Sequence, residues 1–335
     1  MWIGVLCGLL AGAMWGMVFI VPELLGAFSP FELAVGRYVA YGAMALALVL
    51  PRLKSLLASL APADYAALLR HALAGNIVYY MLLAAGVKYA GLAPTSLIVG
   101  MVPVIVTLLG RKDHGAAPLR ALAWPLLLVG AGIACINVDT FLHAGPAASL
   151  GGIVLGVACA AGALLCWSWY ALDNARYLKR NPRFSSAQWS ALYGLATGAV
   201  ALLMGLLAWA FAERPAAVPA GARDWTLFWT CNALLALGAS VIGNGLWNVA
   251  SRRVPVTLSG QLILFETLFA LLYGFLYRGH GPRLLELGAI ALLVAGVTWS
   301  VRAHARDEPA SGPEPSDPDL GEGHCVAGAA HRHQA

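Results

Sequence analysis

Residues 2–21 read WIGVLCGLLAGAMWGMVFIV, twenty positions without a charge. A helix of that length rises about 30 Å, the thickness of the hydrocarbon core of a bilayer. The stretch does not alternate polar with apolar residues, as a membrane-barrel strand would. No Lys or Arg precedes it, and its small residues Ala11-Gly12-Ala13 lie in mid-run, so it reads as a retained first span rather than a cleaved signal.

Nine further runs follow, at roughly 33–51, 72–90, 93–110, 120–138, 150–172, 187–211, 226–249, 256–277 and 284–302. The whole chain has 335 residues, 60% hydrophobic and 11% charged, against about 25% charged in an ordinary soluble domain. Such a chain cannot cover a soluble fold with charge, which excludes a soluble enzyme, a collagen-like chain and a disordered chain. The expected fold is an all-α integral membrane protein with ten transmembrane helices. The net charge of +5 is scattered in short clusters between runs, so no nucleic-acid partner is expected. Five of the six cysteines fall inside apolar runs and none forms a CxxC, which marks them as packing residues.

Lys and Arg set the orientation. With the N-terminus inside, 15 of them fall on the inner side, including Arg52, Lys54, Arg183 and Arg253. Five fall outside (Lys88, Arg214, Arg223, Arg278 and Arg283), and Arg37 lies within a span. Both termini are therefore expected in the cytoplasm, with the protein multi-pass in the cell (inner) membrane. The residues 303–335 carry acids and prolines and read as a disordered cytoplasmic tail.

The second half echoes the first at an offset of 164: Gly110 falls on Gly274, Pro118 on Pro282, Gly132 on Gly296 and Thr95 on Ser259. Trp15 faces Trp167 near the start of each half, and Gly75-Asn76 corresponds to Gly243-Asn244 with a four-residue gap. Five spans per half is an odd number, so the halves, 1–148 and 149–302, would insert with opposite orientation. Such inverted repeats serve alternating access around a midplane site.

LLAGAMWG in the first run, FSPFELAVGRYVAYG over 28–42, APTSLIVGMVPVIVTLLG over 93–110 and LLELGAIALLVAGV over 284–297 together resemble the drug/metabolite transporter superfamily, in its ten-span EamA-type branch. The resemblance implies two five-helix repeats, a central cavity and movement of small metabolites, often outward. The chain departs from the family pattern at RKDHG (111–115) and RGHG (278–281), which lack a glutamate, and at Glu266-Thr267, where the family often has Glu-Pro.

Glu266 is the one acid deep in a run, and charging it there costs about 3 kcal/mol on insertion scales. Proton exchange, recognition of a cationic substrate group and an interhelical hydrogen bond are its three readings. Arg37 would bind a substrate carboxylate, gate the outer end or pair with Glu266; snorkelling to headgroups is the bland alternative. Tyr38 would reach the same cavity. Asn76 and Tyr80 are four apart, as are Asn244 and Asn248, so each pair is expected on one helix face, with Tyr79 and Trp247 beside them. Trp15 and Trp167 add aromatic surface at repeat-related places. These eight side chains are the expected substrate-binding set, weighed against plain helix packing.

Gly4, Gly8, Gly12 and Gly16 form a GxxxG series expected to serve packing. Pro103 is expected to bend or hinge the fourth span. His324, Cys325, His331 and His333 have no metal-site spacing, so no metal or cofactor is expected. No nucleotide-binding motif is present, which points to a secondary transporter of a small organic metabolite such as an amino acid, exporting by alternating access. A non-transporting membrane scaffold is the alternative. A membrane-embedded enzyme would need a cluster of acids or His that the runs do not display.

Overall fold

The computed structural model describes residues 1–110, 119–143, 150–211, 223–279 and 281–306. The RKDHG segment, His280 and the chain beyond Arg306, with its His324, Cys325, His331 and His333, lie outside the described residues. Among those described, every regular element is helical. They form α1 (Trp2–Gly16), α2 (Pro30–Val49), α3 (Pro62–Ala90), α4 (in two pieces, Leu92–Val99 and Val102–Gly110) and α5 (Leu119–His143). In the second half stand α6 (Leu150–Arg180), α7 (Ser186–Phe211), α8 (Trp225–Arg253), α9 (in two pieces, Val256–Leu262 and Leu264–Arg278) and α10 (Leu284–Arg306). Among the described residues, seven stretches of helix are long and apolar enough to cross a membrane.

Of the helices that overrun their hydropathic runs, three carry buried polar contacts in the overrun. α3 begins ten residues before its run, at Pro62, and α6 and α8 continue to Arg180 and Arg253. The extensions carry Asp64, His71, Asp173 and Arg252, polar residues that lower hydropathy but sit well on a helix whose polar face meets other helices. Apolarity marks the hydrocarbon core, whereas helix ends are set by caps. Pro62 occupies the first turn of α3, where its missing N–H costs nothing, and Asp64 accepts the free Ala61 N–H at 2.6 Å. α2 starts the same way: Ser29 caps, Pro30 follows, and Glu32 reaches back to the Ser29 N–H at 2.7 Å.

The fourth and ninth runs are not single helices. α4 breaks at Gly100-Met101 and α9 at Ile263. Pro103 therefore does not bend a continuous helix as the sequence suggests; it opens the second piece, where no intrahelical bond is lost.

α3 and α8 share another irregularity. Each is interrupted by a π-helical segment, Ala72–Ile77 and Ala236–Gly243. The two segments start 164 residues apart, the offset read from the sequence. Isolated π segments inside α-helices are frequent at functional sites.

The helices pair so that exchanging the halves reproduces the pattern. α2 packs on α7, α5 on α10 and α4 on α9, while α3 with α6 answers α8 with α1. The α2–α7 crossing brings backbones together: a Cβ on Gly42 would lie 2.5 Å from the Gly198 Cα. The glycine series of α1 seats that helix on α9, with a Cβ at Gly12 falling 2.8 Å from the Glu266 nitrogen. Both contacts require glycine because any side chain would hold the backbones apart.

Candidate functional site

Trp15, Trp167 and Trp247 meet where the halves join. Their ring centroids are 5.3 Å apart from Trp15 to each of the others, and 5.7 Å between Trp167 and Trp247. All three are buried. The π segment of α8 fixes Trp15, whose Nε1 donates to the Ala239 carbonyl at 2.8 Å. Tyr79 extends the cluster, 6.1 Å from Trp167. The two π segments receive aromatic rings in matching fashion. A Cβ at Gly243 would lie 2.8 Å from the Trp15 Nε1, and one at Gly75 2.5 Å from the Tyr170 ring. The first helix of each half thus lays an aromatic ring on the glycine of the other half's π segment.

Arg37 and Tyr38 approach from α2. The Arg37 guanidinium carbon lies 4.7 Å from the Tyr80 ring centroid and 5.0 Å from that of Tyr38, and Nε donates to the Ser240 hydroxyl at 3.3 Å. With 4% of its surface exposed, Arg37 does not snorkel. Glu266, 5% exposed, stands in the first turn of the second piece of α9, where the positive end of a helix dipole favours a carboxylate. Arg37 and Glu266 form no salt bridge with each other, so the expected direct pairing is absent from this structure. Several buried polar atoms find no hydrogen-bond partner: Arg37 Nη1, the Tyr79 hydroxyl, Trp247 Nε1 and Asn248 Nδ2. Buried polar groups are ordinarily paired, so these four leave polar capacity at the junction.

The asparagines divide. Asn76 donates to the Thr197 hydroxyl on α7 at 3.0 Å, while its expected face-mate Tyr80 turns to Tyr38, 6.0 Å away. Asn76 lies inside the π segment, whose i→i+5 turns break the four-residue rule that put the two on one face. Asn244 is buried at the first α-helical position after the other π segment. Asn248 accepts from Asn174 Nδ2 at 3.0 Å. The structure thus joins Trp15, Trp167, Trp247 and Tyr79, and beside them Arg37, Tyr38 and Tyr80. Asn76 serves a contact between the halves, and Asn248 one within the second half, from α8 to α6.

Sequence reasoning missed two clusters of charge, at opposite ends of α2. At its N-terminus, Arg223 Nη1 meets Glu32 Oε1 at 2.9 Å, with Phe28, Trp225 and Phe228 packed around them. Beyond its C-terminus, Arg183 Nη2 contacts both oxygens of Asp64, at 2.6 and 2.5 Å, and Tyr177 also donates to Asp64. One turn earlier on α6 than Tyr177, Asp173 Oδ2 accepts from Arg70 Nε at 2.9 Å and meets His71 Nε2 at 2.7 Å. His71 is fully buried, boxed by the rings of Trp169, Tyr170, Tyr177 and Trp189 at 5.7–6.2 Å. Each of these ion pairs joins the first half to the second. The readable signal was the stripe Tyr170, Asp173, Asn174, Tyr177 on one face of α6, together with Ser29-Pro30-Phe31-Glu32 as a capping box.

The profile of the EamA-like transporter family matches twice, over residues 2–138 and 154–302. The chain is 36% identical over 308 residues to the inner membrane protein YtfF of Escherichia coli (strain K12), covering 90% of this chain and 95% of that one. A solved crystal structure of another protein, 24% identical, superposes with a TM-score of 0.67 over 91% of this chain and 99% of its own, a likeness of fold alone.

Proposed function

We propose that this chain, which belongs to the EamA-like transporter family, is a secondary transporter that exports a small amphipathic metabolite such as an amino acid. The observation that carries the reading is the buried junction itself. Three tryptophans and Tyr79 offer apolar walls, while Arg37 Nη1 and the Tyr79 hydroxyl have polar capacity to spare. Arg37 would take the substrate carboxylate. Glu266 would take its ammonium group or carry a proton in its place, and Tyr38 and Tyr80 would hold the Arg37 plane. Asn76, Asn244 and Asn248 would line the walls leading to it.

The protein would sit in the inner membrane, as its bacterial relative is named to do, with both termini cytoplasmic. The matched π segments, broken helices and helix pairings support two halves of inverted topology. The two charge clusters would then act as latches, Glu32–Arg223 outside and Asp64–Arg183 with His71–Asp173 inside. Each would release in turn while the other holds, and Pro103 would let the pieces of α4 swing.

Proteoliposomes loaded with a pooled metabolite extract test this, with mass spectrometry of the effluent and an imposed pH gradient. Selective loss of zwitterionic compounds is expected. Arg37→Ala should abolish loss of carboxylate-bearing compounds, and Glu266→Gln should remove dependence on the gradient. If no compound leaves selectively under either condition, the transport reading fails.

A further inference from the structure

A cavity of about 770 Å³ lies outside the substrate path, between the end of α2 and the start of α7. Its apolar wall is Leu48, Leu56 and Ala191, and its polar rim is Arg52, Arg183 and Gln188. The lining contains no acid. We infer that it is a binding site for an anionic phospholipid, with the phosphate at Arg52 and Arg183 and an acyl chain along Leu48.

Three features carry the assignment. First, donor capacity is unspent. Arg52 is exposed and forms no ion pair among the described residues. Gln188 uses only its carbonyl, accepting the Ser185 N–H at 2.9 Å, which leaves its amide hydrogens free. Arg183 engages Asp64 through Nη2 while its guanidinium rests 4.6 Å from the Phe184 ring centroid, and its side chain remains 46% exposed. Second, the site straddles a polarity boundary. Leu46 and Leu48 on α2 and Leu50 in the turn leading to Arg52 are exposed, as lipid-facing residues should be. A free anion in water has no use for that wall, whereas a lipid needs both parts. Third, the cavity falls at the basic end of the molecule, and basic pockets between membrane helices suit anionic head groups.

The occupant would touch the outer face of the same arginine that holds Asp64. Lipid binding would therefore stabilise the α2–α7 end and the ion pair behind it together.

The full-length protein in zwitterionic phosphatidylcholine nanodiscs, exchanged stepwise into phosphatidylglycerol, provides the test. Thermal midpoint and lipid adducts by native mass spectrometry are the readouts. Retained phosphatidylglycerol and a raised midpoint are expected. Arg52→Ala should weaken that retention about tenfold, the worth of one charge-assisted bond, and Gln188→Leu should weaken it less. Lys54→Ala, an exposed charge next to the cavity but not lining it, should leave retention unchanged. Arg183 is spared because its loss would disturb Asp64. Equal weakening by Lys54→Ala and Arg52→Ala would reduce the effect to general surface charge and overturn the site. Equal protection by inorganic phosphate without lipid would make it a free-anion site and overturn the lipid assignment.

Discussion

The two ends of α2 close the molecule by different means. At the Glu32 end one ion pair among the described residues bridges the halves, with side chains 30% and 28% exposed. Its carboxylate is shared with a capping box, so it would be in place without Arg223. At the other end Asp64 is 1% exposed and His71 wholly buried; their partners Tyr177 and Asp173 come from α6 and Arg183 from the turn after it, and Asp173 also holds Arg70 of α3. Tyr177 stacks on Trp189 at 4.6 Å, and Trp189 Nε1 donates to Asn174 at 3.0 Å. Exposed pairs contribute about 0–1 kcal/mol. Removing one member of a buried pair costs about 3–5 kcal/mol, because the other is left stranded. The same kind of contact therefore serves as a light catch at one end and a deep lock at the other. In the proposed orientation the deep lock faces the cytoplasm, and the protein would rest with that side shut.

Breaking the lock should produce the largest effect. Asp64→Asn removes the charged acceptor shared by Tyr177, Arg183 and the Ala61 N–H and weakens the start of α3; a loss of about 3 kcal/mol is expected, the upper end of the scale for bonds to a charged group. A thermal midpoint within a degree of the parent would remove the distinction between the ends. His71→Leu keeps the volume but takes the only imidazole from Asp173, which still holds Arg70. About 2 kcal/mol should go, the scale for a hydrogen bond to a charged group, and His71→Gln should restore part of it in the same denaturation experiment. Trp189→Phe retains the stack on Tyr177 and deletes one hydrogen bond, for about 1 kcal/mol. Glu32→Gln, which keeps the cap and deletes the ion pair, should cost about 0.5 kcal/mol and lose even that at high salt. A salt-independent loss of several kcal/mol there would make the two ends equals.

The ten runs of the sequence announced the helical layout, because a bilayer demands long apolar stretches and loops demand their absence. Arg37 and Glu266 were legible for the same reason: charge inside such a run has few excuses. The tryptophans stood out by their repeat-related places. The deep lock did not, since Asp64, His71 and Asp173 lie just past the apolar runs, where hydropathy reads a loop and the helices in fact continue. The faces of Asn76 and Tyr80 were misread because helical spacing presumes regular turns, and the π segment supplies an irregular one. Glu32 was readable from its capping pattern, but its partner Arg223 is 191 residues away, and only folding brings the two together.

The tryptophan trio has an optical consequence. Indoles separated by 5.3–5.7 Å exchange excitation and couple their transition dipoles. Trp15 belongs to the first half, and Trp167 and Trp247 to the second, so any motion of one half against the other changes the angles that the Trp15 ring makes with the other two. The near-ultraviolet circular dichroism of the unmodified protein should therefore carry an exciton band that shifts as the halves rock. The molecule comes with its own spectroscopic gauge, at the point where a dye would do the most harm.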